Sequence, residues 1–226
     1  MKVKVYQIDP ELDRHETLFR GYDSVMKDAG EVDPTIYKTV FDGRLDAQNL
    51  EDVFAILNFT HPVGYNGHSL SVSDVVEVDG EGCFFCDSIG FRQLEDFDSS
   101  KVSPVKGYRM LVLEPHKEPY EMVIPEGLAP LQQAVGGWIE CTYPFDDNTY
   151  VIGNEEAKLI GLEGNRRING SIYAGNLLIA GDDGWGGTMD LTDEQIQKYT
   201  EMFRIPDNIT PDEVQSDIWW SFVGLD

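Results

Sequence analysis

Positive charge is what this chain has least of. Its 226 residues include 17 Lys and Arg against 41 Asp and Glu, a net charge of −24 at pH 7. Such a surface repels the phosphates of nucleic acid and of anionic membranes, so direct binding to either is not expected; basic partners are attracted. Cysteine is also scarce. Cys83, Cys86 and Cys141 cannot build a disulfide framework. No apolar run approaches the ~20 residues of a membrane-spanning helix. Lys2 and Lys4 alternate with Val3 and Val5 where a leader would be continuously apolar. These absences predict a reduced, cytoplasmic protein. Internal repeats and low-complexity tracts are missing too.

What is present is enough apolar material for two small cores: 41% hydrophobic residues, with four Trp, ten Tyr and eleven Phe. The acidity is shared. Residues 1–106 carry 10 basic and 20 acidic groups, and residues 107–226 carry 7 and 21. Folded bodies, not a tail, hold the charge. Solubility or a high-salt environment would explain that charge as well as a basic partner would, since net charge bears on association and not on fold.

The predicted class is α+β, with two small domains, each a mostly antiparallel sheet with flanking helices. The first spans residues 1–97, a linker spans 98–106 (Asp98-Ser-Ser-Lys-Val-Ser-Pro104 at its start), and the second spans 107–226. In the first, Val3–Ile8 and Thr35–Phe41 read as strands and Phe19–Ala29 as a weak helix. A second helix starts at the cap Asn49, with Leu50, Val53, Phe54 and Leu57 on one face. Residues 67–94 read as a hairpin turned at Asp79-Gly80-Glu81-Gly82. In the second, Tyr108–Leu113 and Tyr120–Ile124 are paired strands and Leu128–Val135 a short helix. Trp138–Phe145 and Thr149–Ile152 form a hairpin around Asp146-Asp147-Asn148, and Ser171–Ala180 is one further strand. Thr192 with Gln195, and Thr210 with Glu213, fit two capping boxes that start the last two helices.

Possible chemistry is thin. Cys83-Phe-Phe-Cys86 has a zinc-ligand spacing, with His61 and His68 as the nearest further ligands, but a strand points the two thiols to opposite faces, which predicts core cysteines. Ser69, Ser71 and Ser73 alternate beside His68 as on the solvent face of a strand, without a nucleophile elbow. Asn165-Arg166-Arg167 invites an internal salt-bridge network with Glu155, Glu156 and Glu163. The glycine-rich loop Gly181–Gly187 lacks the lysine of a phosphate loop, and Asp182, Asp183 and Asp190 lack the spacing of a calcium loop, which leaves a flexible loop. No catalytic residue, metal or cofactor is expected.

Two stretches carry resemblances. GHSLSVSDVV (67–76) and DSIGF (87–91) resemble the YodL-like domain, over most of residues 1–97. VGGWIE (135–140), NEEAKLIGLEGNR (154–166) and YAGNLLIAG (173–181) resemble an uncharacterised domain of phages and conjugative elements of Gram-positive bacteria, over roughly the second half. Neither resemblance implies an activity; the second implies a mobile-element setting.

The carboxylates supply a mechanism. Duplex DNA carries about one charge per 1.7 Å of axis. Alternate residues of an extended segment share a face, which would align Asp9, Glu11 and Asp13. Residues three or four apart are neighbours on a helix. Asp190, Asp193, Glu194 and Glu201 would form a second row, and Asp212, Glu213 and Asp217 a third; Asp182 and Asp183 add to the anionic surface. The expected function is a DNA-mimic inhibitor of a basic nucleic-acid-binding defence protein, such as Cas9, another CRISPR effector nuclease or a restriction enzyme. Two alternatives stay open. One is a non-enzymatic accessory factor of a conjugative element or phage, with Trp185, Trp219 and Trp220 as anchors. The other is an enzyme that uses His61 or His68.

Overall fold

The computed structural model describes residues 1–60 and 62–223, the side chains of 219–223 excepted. The chain divides into two units, Met1–Lys106 and Gly107–Asp226. Its elements are predominantly antiparallel strands with flanking helices, an α+β architecture, as the sequence predicts.

In the first unit, strands β1 (Lys2–Ile8), β2 (Tyr37–Arg44), β3 (Val75–Val78), β4 (Gly82–Cys86) and β5 (Phe91–Leu94) form one sheet in the order β2-β1-β3-β4-β5. Helices α1 (Tyr22–Asp28) and α2 (Leu50–Phe59) accompany it. Asn49 caps α2 by accepting from the Asp52 amide at 2.8 Å. The start of β1 alternates, with Val3 and Val5 buried; Tyr6, Gln7 and Ile8 are then all buried, after a bulge between Val5 and Tyr6 shifts the register. Tyr6, Ile8, Tyr37, Val75 and Phe85 form one core with Val25 of α1.

The predicted linker is not free. Val102 is buried in that core, Ser103 N donates to Tyr37 O, and Thr39 N donates to Ser103 O. A β-branched residue amid small polar ones supplied the anchor that the composition concealed.

In the second unit, β6 (Gly107–Leu113), β7 (Tyr120–Pro125), β8 (Ile139–Thr142), β9 (Thr149–Asn154) and β12 (Leu177–Asp182) lie in the order β7-β6-β12-β9-β8, and β13 (Thr188–Met189) pairs with β12. Strands β10 (Gly164–Ile168) and β11 (Ser171–Ala174) form a separate ribbon. The expected single strand 171–180 is therefore two. Gly175, at φ +72°, takes a conformation other residues avoid, and the chain leaves one sheet for the other there. Helix α3 (Leu128–Val135) precedes β8, and α4 (Asp193–Phe203) and α5 (Pro211–Val223) follow β13. Both sides of the Thr192–Gln195 capping box are formed. Tyr199 and Phe203 of α4 join Leu111, Val151 and Ile179 in the core.

The Asn165-Arg166 pair binds this unit internally. Buried Asn165 Nδ2 donates to Leu113 O at 2.7 Å and Gly175 O at 2.6 Å. The Arg166 guanidinium is buried and forms no ion pair among the described residues, although the Asp207 carboxylate acts on it electrostatically. The guanidinium donates to Asn165 O and Oδ1, to Lys117 O at 2.7 Å, and to Phe203 O, at the carbonyl end of α4. The expected salt-bridge network is corrected: carbonyl oxygens and a helix terminus take the place of glutamates. Of that cluster only Arg167 forms an ion pair, with Glu213 at 2.8 Å; Glu163 faces His116. Gly164 precedes them because a Cβ there would stand 2.5 Å from Ile209 Cγ2.

Asn165→Ala leaves two buried carbonyls unpaired and should cost about 2–4 kcal/mol. Gly164→Ala overpacks and should cost about 1–3 kcal/mol. Urea unfolding checks both; changes below about 0.5 kcal/mol would contradict this reading of the second unit.

Candidate partner-binding surfaces

The carboxylates expected to form rows are mostly occupied within the fold. Asp9–Asp13 is a turn, not an extended segment, because Pro10 follows β1. Asp9 Oδ1 accepts from Glu11 N, and Lys38 is 3.8 Å from Asp9. Asp13 is a clamp. Burial pushes its carboxyl up, but the amides of Thr17 and Leu18 and the Thr17 hydroxyl outweigh that and hold it below the ordinary range. Among the described residues the Glu11 carboxylate, alone of that set, forms no hydrogen bond or ion pair.

The second row dissolves similarly. Asp190 accepts from Arg109 N, and Asp193 pairs with the Arg109 guanidinium, which also holds Glu121. Glu194 and Glu201 remain exposed on α4 seven residues apart, about 10 Å along the axis, Glu201 accepting from Gln197. In the third row Glu213 accepts from Thr210 and pairs with Arg167, and Asp217 pairs with Lys158 at 2.6 Å; Asp212 is exposed. Asp182 accepts from Gly184 N. Asp183, held low by bonds from the Trp185 and Gly187 amides, organises the Gly181–Gly187 loop as a defined turn instead of a slack one. Within each set, taken by itself, most carboxylates are engaged by amides or cations of the fold. The reason is local: Asp and Glu near turns and helix starts cap orphan amides first. Among the described residues no group of three or more His, Cys, Asp or Glu is placed to hold a metal ion.

Cys83 and Cys86 are buried, and burial pushes their thiols up to about 11 and about 12. Trp185 is exposed in its turn. His61 and the side chains of Trp219 and Trp220 lie outside the described residues.

The GHSLSVSD stretch is a loop ahead of β3, not half of a hairpin; Ser73 and Asp74 turn inward, while His68 and Ser69 stay exposed. Gln7 of β1 is the hub. Its Oε1 accepts from His68 N at 3.0 Å. Its Nε2 faces His68 O at 2.8 Å, Asp74 Oδ2 at 3.0 Å, His68 Nδ1 at 3.1 Å and Tyr65 Oη at 3.2 Å. A Cβ at residue 67 would collide with Gln7, which makes Gly67 obligatory. Asp74 Oδ2 also accepts from Ser71 N at 2.8 Å, and Tyr37 donates to Ser73 O. The expectation of serines on a solvent face is corrected for Ser73, which is buried at φ +78°. Its Oγ accepts from Phe19 N at 2.8 Å, and Phe19 is itself at φ +62°. Each left-handed non-glycine residue costs about 1–3 kcal/mol, sustained here by the surrounding bonds.

This network borders an apolar hollow of about 520 Å³ walled by Phe19, Phe54, Leu70, Val72 and Phe91. Glu51 and Asp87 are the acidic groups on its lining, and no Lys or Arg belongs to it. Periodicity placed Phe54 on the apolar face of α2, but it is exposed there. Phe19 and Phe91 carry no sequence signal for this site, because a left-handed turn and a chain reversal bring them together.

Asp74 is wholly buried, and its Oδ1 has no hydrogen-bond partner. Burial pushes its carboxyl up to about 8, against bonds from Ser71 N and the Gln7 side chain. Unfolded, it titrates near 4. Between about pH 4 and pH 8 the folded state keeps a proton that the unfolded state has lost. Stability should therefore fall as pH rises through that window, at most by about 1.4 kcal/mol per pH unit, and level off above it. Asp74→Asn should abolish this dependence and exceed the parent's stability at about pH 8. Parallel urea titrations across pH check it; an unchanged slope would contradict it.

Comparisons with curated proteins and with solved structures return no match. Family comparison matches residues 2–97, which include the Gln7 hub and the hollow's walls, to the YodL-like domain, and residues 108–204, which include the Asn165-Arg166 pair and α4, to a domain of unknown function, DUF3846. The chain thus carries a YodL-like domain followed by a DUF3846 domain.

Proposed function

We propose that the chain is a non-enzymatic binding protein that occupies the nucleic-acid channel of a basic defence protein, a CRISPR effector nuclease such as Cas9 or a restriction enzyme, in place of DNA. One observation carries this reading: most of the few cations are engaged internally. Of the seven Lys and Arg in the second unit, Arg109, Lys117, Lys158, Arg167 and Lys198 are ion-paired and Arg166 is buried. In the first unit Lys4, Arg20, Lys38, Arg92 and Lys101 are likewise paired. With 41 acids in all, the excess carboxylates far outnumber the remaining cations, Lys2, Arg14, Lys27, Arg44, Lys106 and Arg204. Glu11, Glu194, Glu201 and Asp212 belong to that excess. The mimicry rests on density of charge and not on ordered rows. A phage or conjugative element is the setting in which such an inhibitor would be carried.

A second reading, a protein-binding accessory factor of such an element, is favoured by the apolar hollow beside Phe19 and Phe54.

Affinity for a panel of basic nucleic-acid-binding proteins, Cas9 and a restriction enzyme among them, separates the two. The first reading predicts binding at about 50 mM salt that weakens a hundredfold or more by about 500 mM, and displacement of duplex DNA from the partner. Absence of binding at low salt, or binding that leaves DNA in place, would refute it. Salt-tolerant binding would favour the second reading.

A further inference from the structure

We propose that the hollow of the first unit is a docking groove for an apolar segment of a partner protein flanked by Lys or Arg. The walls are Phe19, Phe54, Leu70, Val72 and Phe91, with Cys86 buried among them. Apolar surface continues past the hollow. Phe19, Phe54 and Ile89 are all exposed, and Ile89 stands in the turn between β4 and β5, between the lining residues Ser88 and Gly90. A surface that extends this way suits a chain segment and exceeds what a small apolar molecule would cover.

Charge names the flanks. Glu51 and Asp87 are the acidic lining residues, and neither forms an ion pair among the described residues. No cation lies on the lining to meet an acidic segment. An incoming Lys or Arg beside an apolar anchor would be matched at Glu51; an incoming Glu would be repelled there.

The walls are fixed in advance. The segment that bears Phe19 is held at three points: Asp13 accepts from the Thr17 and Leu18 amides, Ser73 Oγ accepts from Phe19 N, and Asp87 accepts from Tyr22 N at 3.2 Å. Phe19 is thereby held exposed in a left-handed conformation, its ring 5.3 Å from that of His68. A large apolar side chain kept in a strained, exposed conformation by partly buried hydrogen bonds is preorganised for contact, which lowers the ordering cost of binding.

This groove gives the partner of the preceding section an anchoring point, but its test does not depend on that reading. The 15N-labelled full chain is titrated with a short amphipathic peptide of Leu and Lys, and with the same peptide carrying Glu for Lys. The Lys peptide should bind, with amide shifts concentrated at Phe19, Phe54, Leu70 and Ile89, and the Glu peptide should not. Phe54→Ser, at an exposed position, and Glu51→Lys should each weaken the Lys peptide about tenfold or more. Glu194→Gln on the other unit should leave its affinity unchanged, and thermal unfolding shows that each variant is folded. The proposal is overturned by no binding, by equal binding of both peptides, by shifts spread over the acidic surface, or by indifference to Phe54→Ser. Any of these leaves the salt-dependent binding of a basic protein standing on its own test.

Discussion

One side-chain amide organises the first unit. Gln7 sits on the interior strand β1 and satisfies the loop ahead of β3 through both its oxygen and its nitrogen. A buried polar group must find partners or cost stability, and Gln7 finds them on one stretch of chain, Tyr65 to Asp74. That stretch in turn positions Ser73, Ser73 holds Phe19, and Phe19 forms one wall of the apolar hollow. The route from a glutamine in a strand to an exposed aromatic surface is continuous and made of hydrogen bonds.

Carboxylates serve two purposes in this chain, and the structure separates them. Asp13, Asp87, Asp183 and Asp190 cap amides, and Asp193, Glu213 and Asp217 fasten elements through cations. These belong to the scaffold, where a partly shielded bond is worth more than an exposed pair. What remains is an excess that composition alone requires, because the cations are too few and most are already engaged. The attraction proposed for a basic partner would therefore be diffuse. A diffuse field steers and strengthens encounter but gives little specificity, and an apolar groove with two acidic groups on its lining would supply the specificity.

Much of the fold was legible in the residues. Alternation marked β1, a side-chain cap marked α2, and a capping box marked α4. These are local signals with local causes. What could not be read depended on distant partners. Arg166 looked like a salt-bridge partner of nearby glutamates because two of its carbonyl partners, Lys117 and Phe203, are far off in sequence. Ser73 looked solvated because its burial follows from Tyr37 and Phe19. The engagement of the acidic residues was hidden for a related reason: spacing predicts which carboxylates can be neighbours, but not which amide each will cap first. The hollow had no signature at all, since its walls come from a turn, a helix, a loop and an edge strand.

The most direct test is to use the full chain, and beside it the Phe19→Ser/Phe54→Ser variant, as bait in host lysate, with elution first by duplex DNA and then by rising salt. The account predicts that basic nucleic-acid-binding proteins are retained at low salt, leave when DNA is added, and are retained less by the variant. Retention of nothing at low salt, or of proteins that are not basic and withstand both DNA and salt, would contradict it.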